Sequence, residues 1–126
     1  MKSTLYTGSR ILLGLIFFVF GLNGFVEIFP VFDGLNTKAL SFMVAIKNVY
    51  LYSFVKSLEV FAGILLLSNQ FVFAALVMLA PIVINIFLFH LLLQPSELLI
   101  AMLVIVLEVI LLAFHYEALK PLFKRR

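Results

Sequence analysis

Long apolar runs separated by short polar segments dominate the pattern of this chain. A helix needs about 20 mostly apolar residues to cross the hydrocarbon core of a bilayer. Runs of about this length cover residues 9–29, 50–67, 71–93 and 98–119. The pattern therefore predicts an all-α fold, an integral membrane four-helix bundle in which residues 1–126 form a single transmembrane domain.

Residues that break helices or form turns separate the four runs. Pro30 and Pro95 lack a backbone N–H and push the preceding residue out of helical geometry. Ser96 followed by Glu97 is typical of a helix N-terminus, where the serine caps and the acid meets the positive end of the helix dipole. Residues 68–70 form a short polar segment, so the second and third spans should be antiparallel neighbours.

The connection between the first and second spans contains an amphipathic segment that is too short to cross a membrane. Asp33-Gly34 is a turn signal. Residues 38–48 then combine apolar side chains with the charged Lys38 and Lys47. This mixture predicts a short helix that lies at the membrane interface.

Composition supports a membrane protein and excludes several kinds of chemistry. Hydrophobic residues make up 65% of the chain and charged residues 12%, although soluble domains contain about 25% charged residues. A soluble chain of this size has too little interior to bury so much apolar surface. There is no cysteine and there are two histidines, so disulfide chemistry and the common metal sites are not expected.

The distribution of basic residues predicts the orientation in the membrane. The net charge is +3, and four of the nine basic residues lie in the last seven positions, a pattern that favours anionic lipids over nucleic acid as partner. With four spans, both termini lie on one face, which carries six basic residues against two or three on the other. The excess predicts a multi-pass inner (plasma) membrane protein with both termini in the cytoplasm.

A few polar side chains interrupt the spans, where they are costly and normally face the bundle interior. A rise of about 1.5 Å per residue places Asn23, Glu59 and Asn85 roughly 9–13 Å below the outer face, with Lys56 and His90 nearer to it. Lys56 and Glu59 are three residues apart and can pair. These five residues are the predicted ligand-binding site, and no catalytic residue is predicted.

This polar layer has a second interpretation, in which its side chains only join helices by hydrogen bonds. For Asn23 and Asn85 alone the structural role is favoured, whereas the Lys56–Glu59 pair fits both interpretations. Glu108 stands apart, near the middle of the fourth span. It is a candidate proton-titrating residue and should hold a proton unless a polar group such as Arg10 reaches it.

Two further spacings bear on how the helices pack. Gly14 and Gly21 lie on one stripe of the first span, where small residues allow close approach, and Gly24 and Gly63 extend such contacts. The five-residue spacing between Asn85 and His90 is roughly 140° around an ideal helix. Both can face one site only if the helix is distorted, and the predicted source is Pro81, four residues before Asn85.

At these positions the chain resembles the DoxX family of small bacterial and archaeal membrane proteins. The likeness is carried by Arg10 and Gly14 with residues 20–25, by Lys56, Glu59 and Gly63 with residues 65–67, and by Pro81, Asn85 and His90. The resemblance implies a four-helix membrane protein, and it suggests a link to quinone-dependent redox or oxidative-stress complexes. It identifies no catalytic residue.

Three functional hypotheses follow. The first is a non-catalytic membrane subunit or a protein that binds a quinone or lipid, at most an accessory subunit of a quinone-linked oxidoreductase. The second is an oligomeric proton-coupled carrier that uses Glu59 or Glu108. The third is a membrane scaffold or chaperone whose polar layer is structural. Membrane lipids, partner subunits of a membrane complex and further copies of the chain are the expected partners.

Overall fold

The computed structural model describes residues 2–26, 35–95 and 98–123, and every regular element within these ranges is helical. The elements are α1 (Lys2–Asn23), α2 (Thr37–Lys47), α3 (Leu51–Ser68), α4 (Val72–Leu88), a π-helical turn (Phe89–Leu93), α5 (Leu98–Phe114), α6 (Tyr116–Leu119) and a 3-10 turn (Lys120–Phe123). The all-α prediction is confirmed. The predicted break at Pro30, the turn at Asp33-Gly34, the cap at Ser96-Glu97 and the basic residues 124–126 lie outside the described residues.

Three helical segments are long and apolar enough to cross a membrane: Ser3–Asn23, Leu51–Ser68 and Val72–Leu93. The last of these joins α4 to the π-helical turn. α5 is also apolar but has 17 residues, which at about 1.5 Å each cover roughly 25 Å, slightly less than the hydrocarbon core of about 30 Å.

The first helix differs from the predicted span 9–29 at both ends. It begins at Lys2, because the polar residues before Arg10 do not prevent helix formation. It ends at Asn23, after which the Gly24 N–H donates to the Gly21 carbonyl at 3.1 Å in a tighter turn. Residues 24–26 belong to the predicted apolar run but form a turn and a bend, and residues 27–29 lie outside the described part of the chain.

The last predicted span, 98–119, is divided at His115 into α5 and α6. The His115 N–H donates to the Leu112 carbonyl at 3.0 Å, a spacing of three residues that closes α5 with a turn. The two middle spans and the interfacial segment agree with α3, α4 with its π-helical turn, and α2 to within one residue at each end.

α1 and α3 pack against each other along the predicted glycines. A Cβ atom at Gly63 would lie 2.7 Å from the Phe18 backbone nitrogen, and one at Gly21 would lie 2.9 Å from the Val60 nitrogen. A Cβ atom at Gly24 would lie 2.5 Å from Lys56 Cγ. The backbones therefore approach so closely that no side chain fits between them, which confirms the predicted small-residue contacts.

Apolar side chains from all four long helices fill the core. α1 also packs against α5, and α4 packs against both α3 and α5. The largest fully buried side chains are Leu13, Phe17, Leu66, Leu76, Leu79 and Leu111. α2 lies against α3 and the π-helical turn, at the end of the molecule where α1 ends and α3 begins.

Candidate functional site

Three of the five predicted site residues lie at one end of the contact between α1 and α3. Gly24 lies against the Lys56 side chain and Gly21 lies against Glu59 Cβ, so Asn23 sits on α1 between these two contacts. Asn23 and Glu59 are buried, with 2% and 4% of their surface exposed. The glycine contacts thus bring these polar residues to one level of the packed helices.

Lys56 and Glu59 form the ion pair that their spacing predicts. Lys56 Nζ donates to Glu59 Oε1 at 3.3 Å, and their side chains are 16% and 5% exposed. The same ammonium lies 5.5 Å from the ring centre of Tyr52, a buried aromatic residue one turn earlier on α3. The lysine is therefore held by both a carboxylate and an aromatic face, which together compensate part of the cost of burying its charge.

Asn85 lies elsewhere, on an exposed face of α4. It lines a surface groove of about 210 Å³ between α2 and the end of α4. The other lining residues are apolar: Phe42, Leu88, Phe89, Leu92 and Leu93. Asn85 is therefore exposed where Asn23 and Glu59 are buried, and it is the one amide side chain among the described residues that line this groove.

His90 lies on the π-helical turn next to this groove. It is half-buried, its Nδ1 donates to the Ile86 carbonyl at 3.0 Å, and its ring meets that of Phe89 edge-on at 5.2 Å. The distortion that the Asn85–His90 spacing required is the π-helical turn, closed by a bond of 3.1 Å from the Gln94 N–H to the Phe89 carbonyl. This turn follows Asn85 and contains His90, whereas α4 continues through Pro81, the predicted source of the distortion.

Glu108 lies in the core without a polar partner. It is 3% exposed, and neither carboxyl oxygen has a hydrogen-bond partner in the described part of the chain. Arg10 does not serve as its counterion, because the Arg10 guanidinium donates to the Leu66 and Leu67 carbonyls. A cation at these last carbonyls of α3 complements the negative end of the helix dipole. The hydrogen bonds of the Arg10 guanidinium therefore go to the C-terminal end of α3 and not to Glu108.

An aromatic cluster surrounds His115 at the same end of the molecule. The Tyr6 hydroxyl lies 3.3 Å from His115 Nε2, and the Phe73 ring stacks on the imidazole at 5.7 Å. Burial lowers the pKa of His115 below its usual range. The neutral imidazole is therefore the favoured form in the folded protein.

A polar clamp that the sequence pattern did not predict lies at the start of α2. Asn36 Oδ1 accepts from the Ala39 N–H at 2.9 Å and caps this helix. Its Nδ2 donates to the Leu93 carbonyl, and its backbone N–H donates to Gln94 Oε1 at 3.0 Å. An asparagine directly before an amphipathic helix is a recognisable N-cap signal, but its bonds to the end of the π-helical turn are not visible in sequence. The clamp holds α2 beside the groove.

Comparisons of the chain with protein-family models, with curated proteins and with solved structures return no match.

Proposed function

We propose that this chain is a four-helix integral membrane protein that binds a lipophilic molecule with a polar head, and that it acts as a non-catalytic membrane subunit. The observation that carries the proposal is the groove of Asn85, with a single amide among apolar side chains. Ligand sites are typically apolar with a few polar groups that fix orientation. The asparagine amide can donate to a carbonyl oxygen of a quinone or of a lipid ester.

The size and position of the groove suit a head group rather than a whole ligand. About 210 Å³ is below the roughly 300–1,000 Å³ of pockets that enclose a complete small molecule. Leu88 and Leu92 line the groove and are themselves 43% and 69% exposed, so an apolar tail can leave the groove along them into the surrounding lipid. The amphipathic helix α2 forms the other wall, at the depth where lipid and quinone heads are expected.

Replacing Asn85 with leucine is expected to weaken binding of a short-chain quinone by about tenfold, since one lost hydrogen bond corresponds to about 1.4 kcal/mol. The protein is reconstituted in nanodiscs and titrated with the quinone, and a parallel titration with a phosphatidylglycerol tests the lipid as ligand. Gln70→Leu is the control, because it removes an exposed amide at the other end of α4. Binding of neither molecule, or equal binding by Asn85→Leu and wild type, contradicts the proposal.

We further propose that the protein lies in the inner membrane with both termini in the cytoplasm, as the excess of basic residues at the terminal face indicates. Because the chain has no cysteine, a single introduced cysteine reports its own location. A membrane-impermeant maleimide is expected to label Lys38→Cys in intact spheroplasts, and Gln70→Cys only after permeabilisation. Both positions are exposed in the folded protein. The opposite labelling pattern would show that both termini lie outside the cytoplasm and would contradict the proposed orientation.

On the basis of the DoxX resemblance, we propose further that the protein is an accessory subunit of a quinone-linked or oxidative-stress complex. The chain itself contains no cysteine for redox chemistry. Oxidation or reduction of the bound molecule is therefore assigned to a partner subunit. Crosslinking of the native membrane followed by identification of the partners tests this part separately from ligand binding.

A further inference from the structure

Glu108 is a buried acid that the proposed ligand site does not use. We propose that Glu108 is a proton-binding site inside the helix bundle, reached from the end of the molecule that carries α6 through the side chains of His115, Tyr6 and Arg10. These three residues are named the polar column. The inference goes beyond ligand binding at the groove of Asn85 and depends only on the membrane location of α5.

The surroundings of Glu108 favour a bound proton. Its stripe on α5 is otherwise apolar, with buried Ala101, Val104, Leu107 and Leu111. Of the elements packed against α5, α4 contains no ionisable residue, the π-helical turn carries His90, and α1 carries Tyr6 and Arg10. An ionised carboxylate without a partner in such an environment is far more costly than the neutral acid.

The polar column extends from the end of the molecule toward this acid. His115 follows Glu108 by seven residues, which is two helical turns or about 10 Å on the same stripe. Tyr6 bonds to His115, and Arg10 lies one turn further along the same face of α1. Because α1 and α5 are antiparallel, Arg10 reaches the level of residues 110–111, about one turn from Glu108.

The chemistry of the column suits proton transfer. The neutral imidazole of His115 can accept a proton from water and return it, and the Tyr6 hydroxyl can relay one. Arg10 is buried, and its Nε has no hydrogen-bond partner among the described residues. The carboxylate that forms when Glu108 releases its proton has no hydrogen-bond partner among the described residues, so the protonated acid is the favoured form. Uptake reverses this step, so that one proton enters and one carboxylate becomes a carboxylic acid.

The bound proton is tested with dicyclohexylcarbodiimide on the wild-type protein in liposomes. The acid gives its proton to a carbodiimide nitrogen while a carboxylate oxygen adds to the central carbon, and rearrangement leaves a stable N-acylurea that carries the whole reagent. Mass mapping is expected to find this adduct on Glu108. Ion-paired Glu59 and exposed Glu117 provide internal controls. An adduct on Glu59 without one on Glu108, or no adduct, overturns the proposal.

The route is tested by infrared spectroscopy of hydrogen–deuterium exchange. The carbonyl band of a protonated carboxyl is expected in the wild type and absent in Glu108→Gln, and its shift in D₂O measures proton exchange. In the double variant Tyr6→Phe with His115→Phe, exchange should slow by about tenfold, the effect of a barrier increase of roughly 1.4 kcal/mol.

Tyr116→Phe is the matched control for this experiment, since it removes an exposed hydroxyl at the same end of the molecule. Its exchange rate should equal that of the wild type. Exchange in the double variant at the wild-type rate overturns the route. Because these measurements contain no quinone or added ligand, failure of the proposed binding function leaves their outcome unchanged, and the two proposals fail independently.

Discussion

Replacing Gly63 with alanine is expected to force α1 away from α3 and to destabilise the protein by about 3 kcal/mol, at the upper end of the usual cost of overpacking. The added Cβ would lie 2.7 Å from the Phe18 nitrogen, 2.9 Å from the Phe18 Cα and 3.0 Å from the Gly14 carbonyl oxygen. All three are backbone atoms. No side-chain rotation relieves the contact, so one helix must move.

The measurement is the free energy of unfolding in mixed micelles as the fraction of denaturing detergent increases. Gly8→Ala is the matched control, because a Cβ there meets nothing within 4 Å. In a helix interior alanine is favoured over glycine, so the control should be neutral or slightly stabilising. Equal stabilities of Gly63→Ala and Gly8→Ala would contradict the close approach of the two backbones.

The packing of α1 on α3 was accessible from sequence because it depends on spacing alone. Gly14 and Gly21 lie on one stripe of the helix however the helix is rotated about its axis. Two residues without side chains on one stripe indicate a surface that a neighbouring helix can approach closely. Helix ends were less accessible. The turn at His115 is associated with contacts to Tyr6 and Phe73, residues more than 40 positions away in the chain.

The candidate site was predicted in part for a related reason. Position along a helix follows from counting residues, and the count put Asn23 and Glu59 at a similar level, which agrees with the contact of Gly21 with Glu59. The direction in which a side chain points depends on how each helix is rotated against its neighbours. Asn85 has the expected position along α4, but it lies on an exposed face toward α2.

Arg10 illustrates the same limit. The sequence named Arg10 as a polar group that could reach Glu108. In the folded protein it donates instead to the last carbonyls of α3, whose unpaired acceptors are created only when the helix ends. Backbone carbonyls become free acceptors at the end of any helix, whatever the residue type. A search of the sequence for acidic partners of Arg10 therefore does not find them.

The second large effect is expected at the buried ion pair. Lys56→Met should destabilise the protein by about 3 kcal/mol, because it leaves the Glu59 carboxyl buried without its partner. The double variant Lys56→Met with Glu59→Met should recover most of this loss, since two apolar side chains replace two charges that had to be desolvated. The unfolding free energies of wild type, both single variants and the double variant give the coupling energy directly.

A pair with the same three-residue spacing provides the control. Lys120 Nζ lies 3.7 Å from Glu117 Oε2, but these side chains are 54% and 85% exposed. Lys120→Met should therefore change stability by no more than about 0.5 kcal/mol. If the double variant of Lys56 and Glu59 is as unstable as Lys56→Met alone, the two side chains stabilise the fold by contacts other than the ion pair between them. If Lys56→Met is as mild as Lys120→Met, Glu59 is not held in an apolar environment.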